Sequence, residues 1–516
     1  MESLRLHNIR SIHDSGKIDI APLTLLVGQN SSGKSTFARF FPLLRQTSEA
    51  LAREPLLWFG RLVDFGSAGE VCSKQNQGEP FGFDIELSID QSLIAFARRS
   101  IVRRRELTRS KATISIAIRY IEQSPSKQLY QFSLRFFEHE IHLDIDQSEV
   151  VKMKINGSDC SDEIQGLFVV TGWSGCFPSL SYKADEGLAN NEGAFRKRIN
   201  DFVRSNTHGK TQKLRLQLLI QSITSAPLDN LLSSFKSAPA GDSIWKRTTG
   251  TWGSDSPAFL RLSRWIVGNR ILDIMQVVNS AFVRQCMQLR YITPVRASAQ
   301  RYYRQQGLAL REIDSQGENI AMIIHNMTTS EKRLFSLWMQ KYFDVHINTT
   351  APEGHVSMMI SASTEASTGF SFNLADTGFG FSQMLPILTQ LWMSTRQKSS
   401  IKKNPNVSPV RIIAIEQPEL HLHPKLQSRL ADLLVEAIRV SREAGIDTRL
   451  VIETHSEHII NRIGLRVGLG DVQKEEISLV IFDKVGLASP SRVKSTTFDD
   501  EGLINDWPYG FFDSGD

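Results

Sequence analysis

Four cysteines in 516 residues, Cys72, Cys160, Cys176 and Cys286, never form a CxxC pair. This argues against a zinc knuckle or a disulfide scaffold and leaves buried free thiols as the expectation. Any run of about 18 uninterrupted apolar residues is also missing, so no transmembrane helix is expected. The opening MESLRLHNIRSIHDSGK lacks the long apolar core of a secretory leader, which points to a cytoplasmic protein with no membrane partner. Charge of one sign is scarce as well: 60 Lys and Arg face 55 Asp and Glu, and the resulting +5 does not mark a nucleic-acid binder. No fixed-period repeat and no persistent a/d heptad occur, which argues against a long coiled coil.

What is present fits a folded protein. Hydrophobic residues make up 41% and charged residues 22%, and the length allows about two to four structural units. The even charge balance hides a local bias. Between Arg98 and Arg119 the chain carries eight basic residues, among them Arg98, Arg99, Arg103, Arg104 and Arg105, against the single acid Glu106. Such a cluster is either a solvated face or a groove for nucleic acid, DNA or an RNA–DNA hybrid. From Ser495 to the end the bias is acidic, with Trp507, Tyr509, Phe511 and Phe512 suited to packing on the body or on a partner.

Near the N-terminus LRLHNIR and PLTLLVG read as strands, the second apolar enough to be buried on both faces. A helix should begin near Gly33 and end or kink at Pro42. Toward the other end VRIIAIEQPELHLHP and TRLVIETHSEHIINRI each present an apolar strand that stops at a polar cluster, and PKLQSRLADLLVEAIRVSREAG between them reads as a helix. Strand, helix, strand is the order of a parallel α/β sheet. The middle differs, with strand-like pieces (ATISIAIRYI, QFSLRFF, EIHLDI) followed by helical ones (KLRLQLLIQSI and the stretch around RWIVGNRILDIMQVV). The expected organisation is residues 1–90 as the first part of a nucleotide-binding head, 91–370 as an α+β insertion, and 371–516 as the second part of the head.

Four motifs carry chemistry. Gly28-Gln29-Asn30-Ser31-Ser32-Gly33-Lys34-Ser35-Thr36 contains G-x-x-x-x-G-K-[ST] between a buried strand and a helix, the context of a phosphate-binding loop. Lys34 should reach the β/γ-phosphates of ATP, and Ser35 should ligate Mg2+. Glu416-Gln417-Pro418-Glu419 ends an apolar strand, where an acid can sit on the magnesium side and a neighbour can orient water. About 380 residues separate Lys34 from Glu416, far more than in a compact GTPase or AAA+ module, so one head split by a large insertion is expected. The run Asp376 to Pro386 (DTGFGFSQMLP) holds Gly380, Ser382 and Gln383, which form either a simple helix-starting turn or a loop that meets nucleotide held by a second subunit. Last, His455 follows the strand RLVIE and can sense a γ-phosphate.

In order and composition these segments resemble the prokaryotic ATPases of the OLD, RecF and SMC branch of the ABC class. The matching pieces are LRLHNIRSI, PLTLLVGQNSSGKST, DTGFGFSQMLP, IEQPELHLHP and VIETHSEHIINRI, about 120 residues framing the chain. YITPVRASAQRYY and EGLINDWPYGFFD are similar to a subgroup linked to antiphage defence. The resemblance implies a P-loop ABC-type head, ATP and Mg2+ as cofactors, Glu416 as the magnesium-side acid, Ser382 as the contact to a second head's nucleotide, and His455 as the switch histidine. It also implies a head-to-head dimer or higher homo-oligomer. Where the family's catalytic glutamate usually stands, this chain has Gln417. An amide cannot take a proton from water, and loss of a general base costs about 10²–10⁴-fold, so hydrolysis should be slow unless Glu419 or Glu416 substitutes. About 60 residues follow His455, short for the Toprim nuclease of some relatives, so a nuclease would act in trans: an HNH protein, as in Septu and retron systems of the PtuA type, or a Toprim protein, as in PARIS. A RecF-like repair ATPase is the alternative, and a transporter-like ABC subunit is the weakest reading.

Overall fold

The computed structural model describes the chain apart from residues 96–110, 125–126, 165–166, 184–192, 239–241, 306–309, 311, 352–353, 362–370, 397–409, 485, 487–488 and 506–516. The arginines at 98, 99, 103, 104 and 105 and the aromatic residues of the tail therefore lie outside the described residues. The chain forms two compact units. One comprises Met1–Asn8, Leu44–Leu57 and Asn76–Met287, and the other comprises Ile9–Leu43, Trp58–Gln75 and Gln288–Asp516.

The second unit holds the phosphate-loop sequence on a six-stranded sheet. Its strands run in the order Arg290–Ile292, Arg411–Glu416, Thr448–Glu453, Leu23–Gly28, Ile477–Asp483 and Arg492–Thr496. All neighbours pair in parallel except the last, which is antiparallel to Ile477–Asp483. LTLLVG and RIIAIE are buried at every position, as strands covered on both faces must be. Helices Phe379–Arg396, Pro424–Glu443 and Glu457–Gly468 contribute Leu385, Leu388, Leu430, Leu434, Ile460 and Ile463 to its hydrophobic core. The α/β fold expected from the motifs is the fold observed. A smaller sheet of Tyr303–Arg304, His346–Thr350, His355–Ser361 and Ser371–Asn373 also belongs to this unit.

One sequence expectation changes in part. The helix after the phosphate loop does not end at Pro42; it runs from Lys34 to Ser48. Phe37, Phe40, Phe41, Leu43 and Leu44 along it are fully buried, and this burial outweighs the roughly 3 kcal/mol that an interior proline costs. Everything from Gln288 onward belongs with the phosphate loop, and the three-residue strand Arg290–Ile292 joins its sheet.

The first unit is an antiparallel meander. Phe81–Asp90, Lys111–Ser124, Lys127–Phe136, His139–Asp146 and Glu149–Ile155 pair in sequence order, followed by Phe168–Ser174 and Phe177–Tyr182, and Ser3–Ile9 pairs with Phe81–Asp90. Strict alternation in HEIHLDID buries Ile141, Leu143 and Ile145 and leaves their neighbours half-buried. At Asn156-Gly157 and Gly175-Cys176 both turn residues have positive φ, the backbone that a two-residue type I′ hairpin demands. Helices from Gly193 to Cys286 complete the unit; Lys213–Thr224, Pro257–Asn269 and Ile271–Cys286 fall on the stretches read as helical, whereas Gly193–Ser205 and Ser243–Gly250 form where polar connections were expected around 181–212 and 236–256. All four cysteines are free; Cys160, Cys176 and Cys286 are buried. No helix among the described residues is long and apolar enough to cross a membrane.

Candidate nucleotide-binding site

Three strands deliver the site at their carboxyl ends. Register pairs Glu416 with Glu453, Glu453 with Leu26, and Gly28 with Phe482, so the two acids and the start of the phosphate loop share one edge of the sheet. That edge is where open α/β sheets bind ligands. The loop is tightly held from behind. Gly28 has φ of 148°, and a Cβ there would lie 2.0 Å from the Phe482 carbonyl oxygen; at Gly33, with φ of 100°, it would lie 2.8 Å from Ile12 Cγ1. Only glycine fits either position. Gln29, Asn30 and Ser31 are exposed, whereas Ser32, Gly33, Lys34 and Thr36 are buried. Ser32 Oγ donates to the Gln29 carbonyl at 2.7 Å and closes the turn.

Lys34 folds back on its own loop, donating from Nζ to the carbonyls of Gly28 at 2.9 Å and Gln29 at 2.6 Å. Burial lowers its pKa to about 8, against the opposing pull of Glu453 and Glu419. Ser35 Oγ donates to Glu453 Oε1 at 2.8 Å. Burial, and then the like charge of Glu416, push the Glu453 carboxyl up to about 7.

Glu416 is engaged elsewhere. Arg39 grips both of its oxygens, Nε to Oε1 and Nη2 to Oε2, each at 2.8 Å, and the Tyr291 hydroxyl donates to Oε1 at 2.5 Å. The bidentate bond raises the Arg39 pKa further, and burial raises that of Tyr291, so both remain donors. Arg296 donates through Nη2 to the carbonyls of Glu416 at 2.8 Å and Gln417 at 3.3 Å. Burial lowers its pKa to about 10, and it stays a cation at neutral pH.

Gln417 starts the turn after the acid strand in a left-handed backbone, φ 42°, with its amide donating to the Glu453 carbonyl at 2.8 Å. Glu419 Oε1 accepts the His455 amide at 2.7 Å, and burial raises the Glu419 pKa. The His455 ring is exposed; partial loss of water and the charge of Lys34 keep its pKa below the ordinary value.

The signature-like turn packs on the acid turn. Gly380 lies against the acid turn, where a Cβ would sit 2.9 Å from the His421 carbonyl oxygen. Gln383 does not face outward. It is 4% exposed, its Oε1 accepts the Arg296 amide at 3.2 Å, and its Nε2 donates to the Arg296 carbonyl at 2.9 Å. Ser382 is 7% exposed and lines a cavity of about 400 Å³ together with Asp314, Asn319 and Tyr303.

The donor set fits a phosphate ester with a divalent cation. Glu453 Oε2, Glu419 Oε2 and the Nε and Nη1 of Arg296 are buried side-chain atoms without a hydrogen-bond partner among the described residues. Lys34 donates to two loop carbonyls that it can leave, and Ser35 and Glu453 offer hard oxygens. No cluster of three or more His, Cys, Asp or Glu able to hold a metal by itself occurs among the described residues. Sequence reading assigned no role to Arg39, Glu453, Tyr291 or Arg296. Arg39 stands one helical turn after Ser35 and Glu453 ends its strand as Glu416 does, and both positions were readable; the other two required the fold.

Residues 279–460 match the family described as AAA ATPase domain, a stretch that includes both acid strands and His455, while the phosphate loop lies outside it. A segment of 89 residues is 32% identical to the endonuclease GajA of Bacillus cereus (strain HuB5-5), covering 16% of this chain and 12% of that one. The chain thus spans a small part of that relative's length. The SMC head domain from Thermotoga maritima is similar over 96% of this chain and 97% of its own, at 9% identity and a TM-score of 0.32. An AAA ATPase domain match, joined in the fold to a phosphate loop some 250 residues before it, is what the comparisons and the geometry give together.

Proposed function

We propose that this chain is an ABC-class ATPase that binds ATP with Mg2+, hydrolyses it slowly, and serves as a sensor and scaffold for a separate nuclease in antiphage defence. The observation that carries the reading is the convergence of Lys34, Ser35, Glu453 and Glu416 at one edge of a parallel sheet. Lys34 and the loop would hold the phosphates, and bound Mg2+ would neutralise charge on the β- and γ-oxygens. Slow turnover follows from the residues near the attacking side. Gln417 offers no base, Glu416 is committed to Arg39 and Tyr291, and Glu419 is half-buried with its Oε2 shut off from solvent. Glu419 is the residue through which residual hydrolysis would run, with His455 beside it.

The nuclease association draws on the likeness to a protein named an endonuclease, and an HNH or Toprim partner acting in trans remains part of the proposal. A dimer closing over nucleotide is also proposed. The burial of Ser382 means that its helix start must open before it can touch a second copy's nucleotide. The test is binding and turnover of ATP by the purified chain, with co-purification of the product of the adjacent gene. Binding that is lost in Lys34→Ala, turnover at least about 10²-fold below a typical enzyme's ~10 per second, and a co-purifying nuclease support the reading. Rapid turnover and no partner contradict it.

A second reading, direct DNA binding as by a repair ATPase, is favoured by one observation. Residues 193–250 carry ten Lys and Arg against three Asp, a surplus larger than that of the whole chain. Arg196, Lys197, Arg204, Lys210, Lys213 and Arg215 on or beside helices Gly193–Ser205 and Lys213–Thr224 are exposed. These exposed residues are proposed to contact the phosphate backbone, as is the Arg98–Arg105 sequence cluster, which lies outside the described residues.

A further inference from the structure

Resting on the reading of the phosphate loop as an ATP–Mg2+ site, we propose that the magnesium-side carboxylate is Glu453 and that Glu416 is a positioning residue. In a P-loop enzyme the loop Ser and one strand-end acid share the cation. The acid that Ser35 touches is Glu453, Oγ to Oε1 at 2.8 Å. Both carboxylates end strands at the edge of the sheet that carries the phosphate loop, so strand position alone does not choose between them.

The two carboxylates differ in what they have left to give. Both oxygens of Glu416 are bound by Arg39, one of them also by Tyr291, and the side chain is 2% exposed. Releasing it for a cation would strand the Arg39 guanidinium and a buried phenol. Glu453 spends one oxygen on Ser35, and its Oε2 is buried with no hydrogen-bond partner among the described residues. An unpaired carboxylate oxygen in a buried place is costly unless a cation or donor arrives. A purely structural role, Glu453 as acceptor for the Ser35 hydroxyl, accounts for Oε1 and leaves Oε2 unexplained. Glu416 then holds Arg39, and through its carbonyl Arg296, in place around the turn that carries Gln417 and Glu419.

Mn2+ with a non-hydrolysable ATP analogue tests the assignment, with free Mn2+ read by electron paramagnetic resonance and analogue binding in EDTA measured alongside. Glu453→Gln is expected to weaken Mn2+ in the ternary complex by at least about tenfold while metal-free analogue binding stays within about threefold. Glu453→Asp, which keeps the charge on a shorter stem, is expected to recover part of that loss even if the Gln variant folds poorly. Glu416→Gln is expected to keep Mn2+ affinity within about threefold and to lower the melting temperature instead. Loss of Mn2+ affinity in Glu416→Gln with none in either Glu453 variant would overturn the assignment and leave the nucleotide site standing. A wild-type chain that binds no analogue with or without Mn2+ would overturn both.

Discussion

Arg39 and Glu416 show how a single pair shapes this site. The carboxylate is buried, the guanidinium about one third exposed, and the bond is bidentate. Removing one member leaves a charge in a dry place, which typically costs about 3–5 kcal/mol, with the lower end expected because water reaches Arg39. Arg39→Met should therefore lower stability in urea by about 3 kcal/mol, and pairing it with Glu416→Gln should restore most of the loss. Additive losses in the double variant would show that the two residues act independently. Gln417 makes a separate prediction. Its side chain stands where a general base is missing, so Gln417→Glu should raise the rate of ATP hydrolysis by about 10²-fold or more, measured as phosphate release. An unchanged rate would mean that Glu419 already supplies the base or that the left-handed backbone at 417 aims the side chain elsewhere.

Among the secondary-structure elements, the close approach of strands is the main constraint. Gly28 meets the Phe482 carbonyl with no room for a methyl group. Gly28→Ala should part the phosphate-loop strand from Ile477–Asp483, and the expected outcome is a melting temperature at least about 4 °C lower, or failure to accumulate folded protein. A variant of wild-type stability would mean that this edge of the sheet is looser than described. These strands were legible because LTLLVG, RIIAIE and LVIE are continuous apolar runs, which is what burial on both faces requires. The helix through Pro42 was not, because local propensity favours a break and only tertiary burial of Phe37, Phe40 and Phe41 overrides it. Arg290–Ile292 is too short for any periodicity, and it is defined only by pairing with Ile413–Ile415. The carboxylates were both visible as strand ends. Which one meets Ser35 depends on Thr448–Glu453 lying between the other two strands, and strand order is not written in one strand's sequence.

For the molecule as a whole, a modest +5 conceals separate surfaces. The basic stretch 193–250 belongs to the antiparallel unit, and the acids at the nucleotide site belong to the other. If the basic surface binds duplex DNA, log affinity should fall linearly with log salt, and reversing Lys210, Lys213 and Arg215 to Glu should both weaken binding and flatten that slope by about two to three. A salt-independent affinity would remove DNA from the account. Nucleotide should also change assembly: a non-hydrolysable ATP analogue with Mg2+ is expected to shift the sedimentation coefficient toward a dimer, and Lys34→Ala should abolish the shift. The measurement that bears most directly on the central claim is calorimetric titration of Mg2+–ATP onto the purified full chain and its Lys34→Ala variant. The predicted result is one ATP bound per wild-type chain and an affinity at least about 100-fold lower in the variant, while equal binding by the two, or none by the wild type, would contradict it.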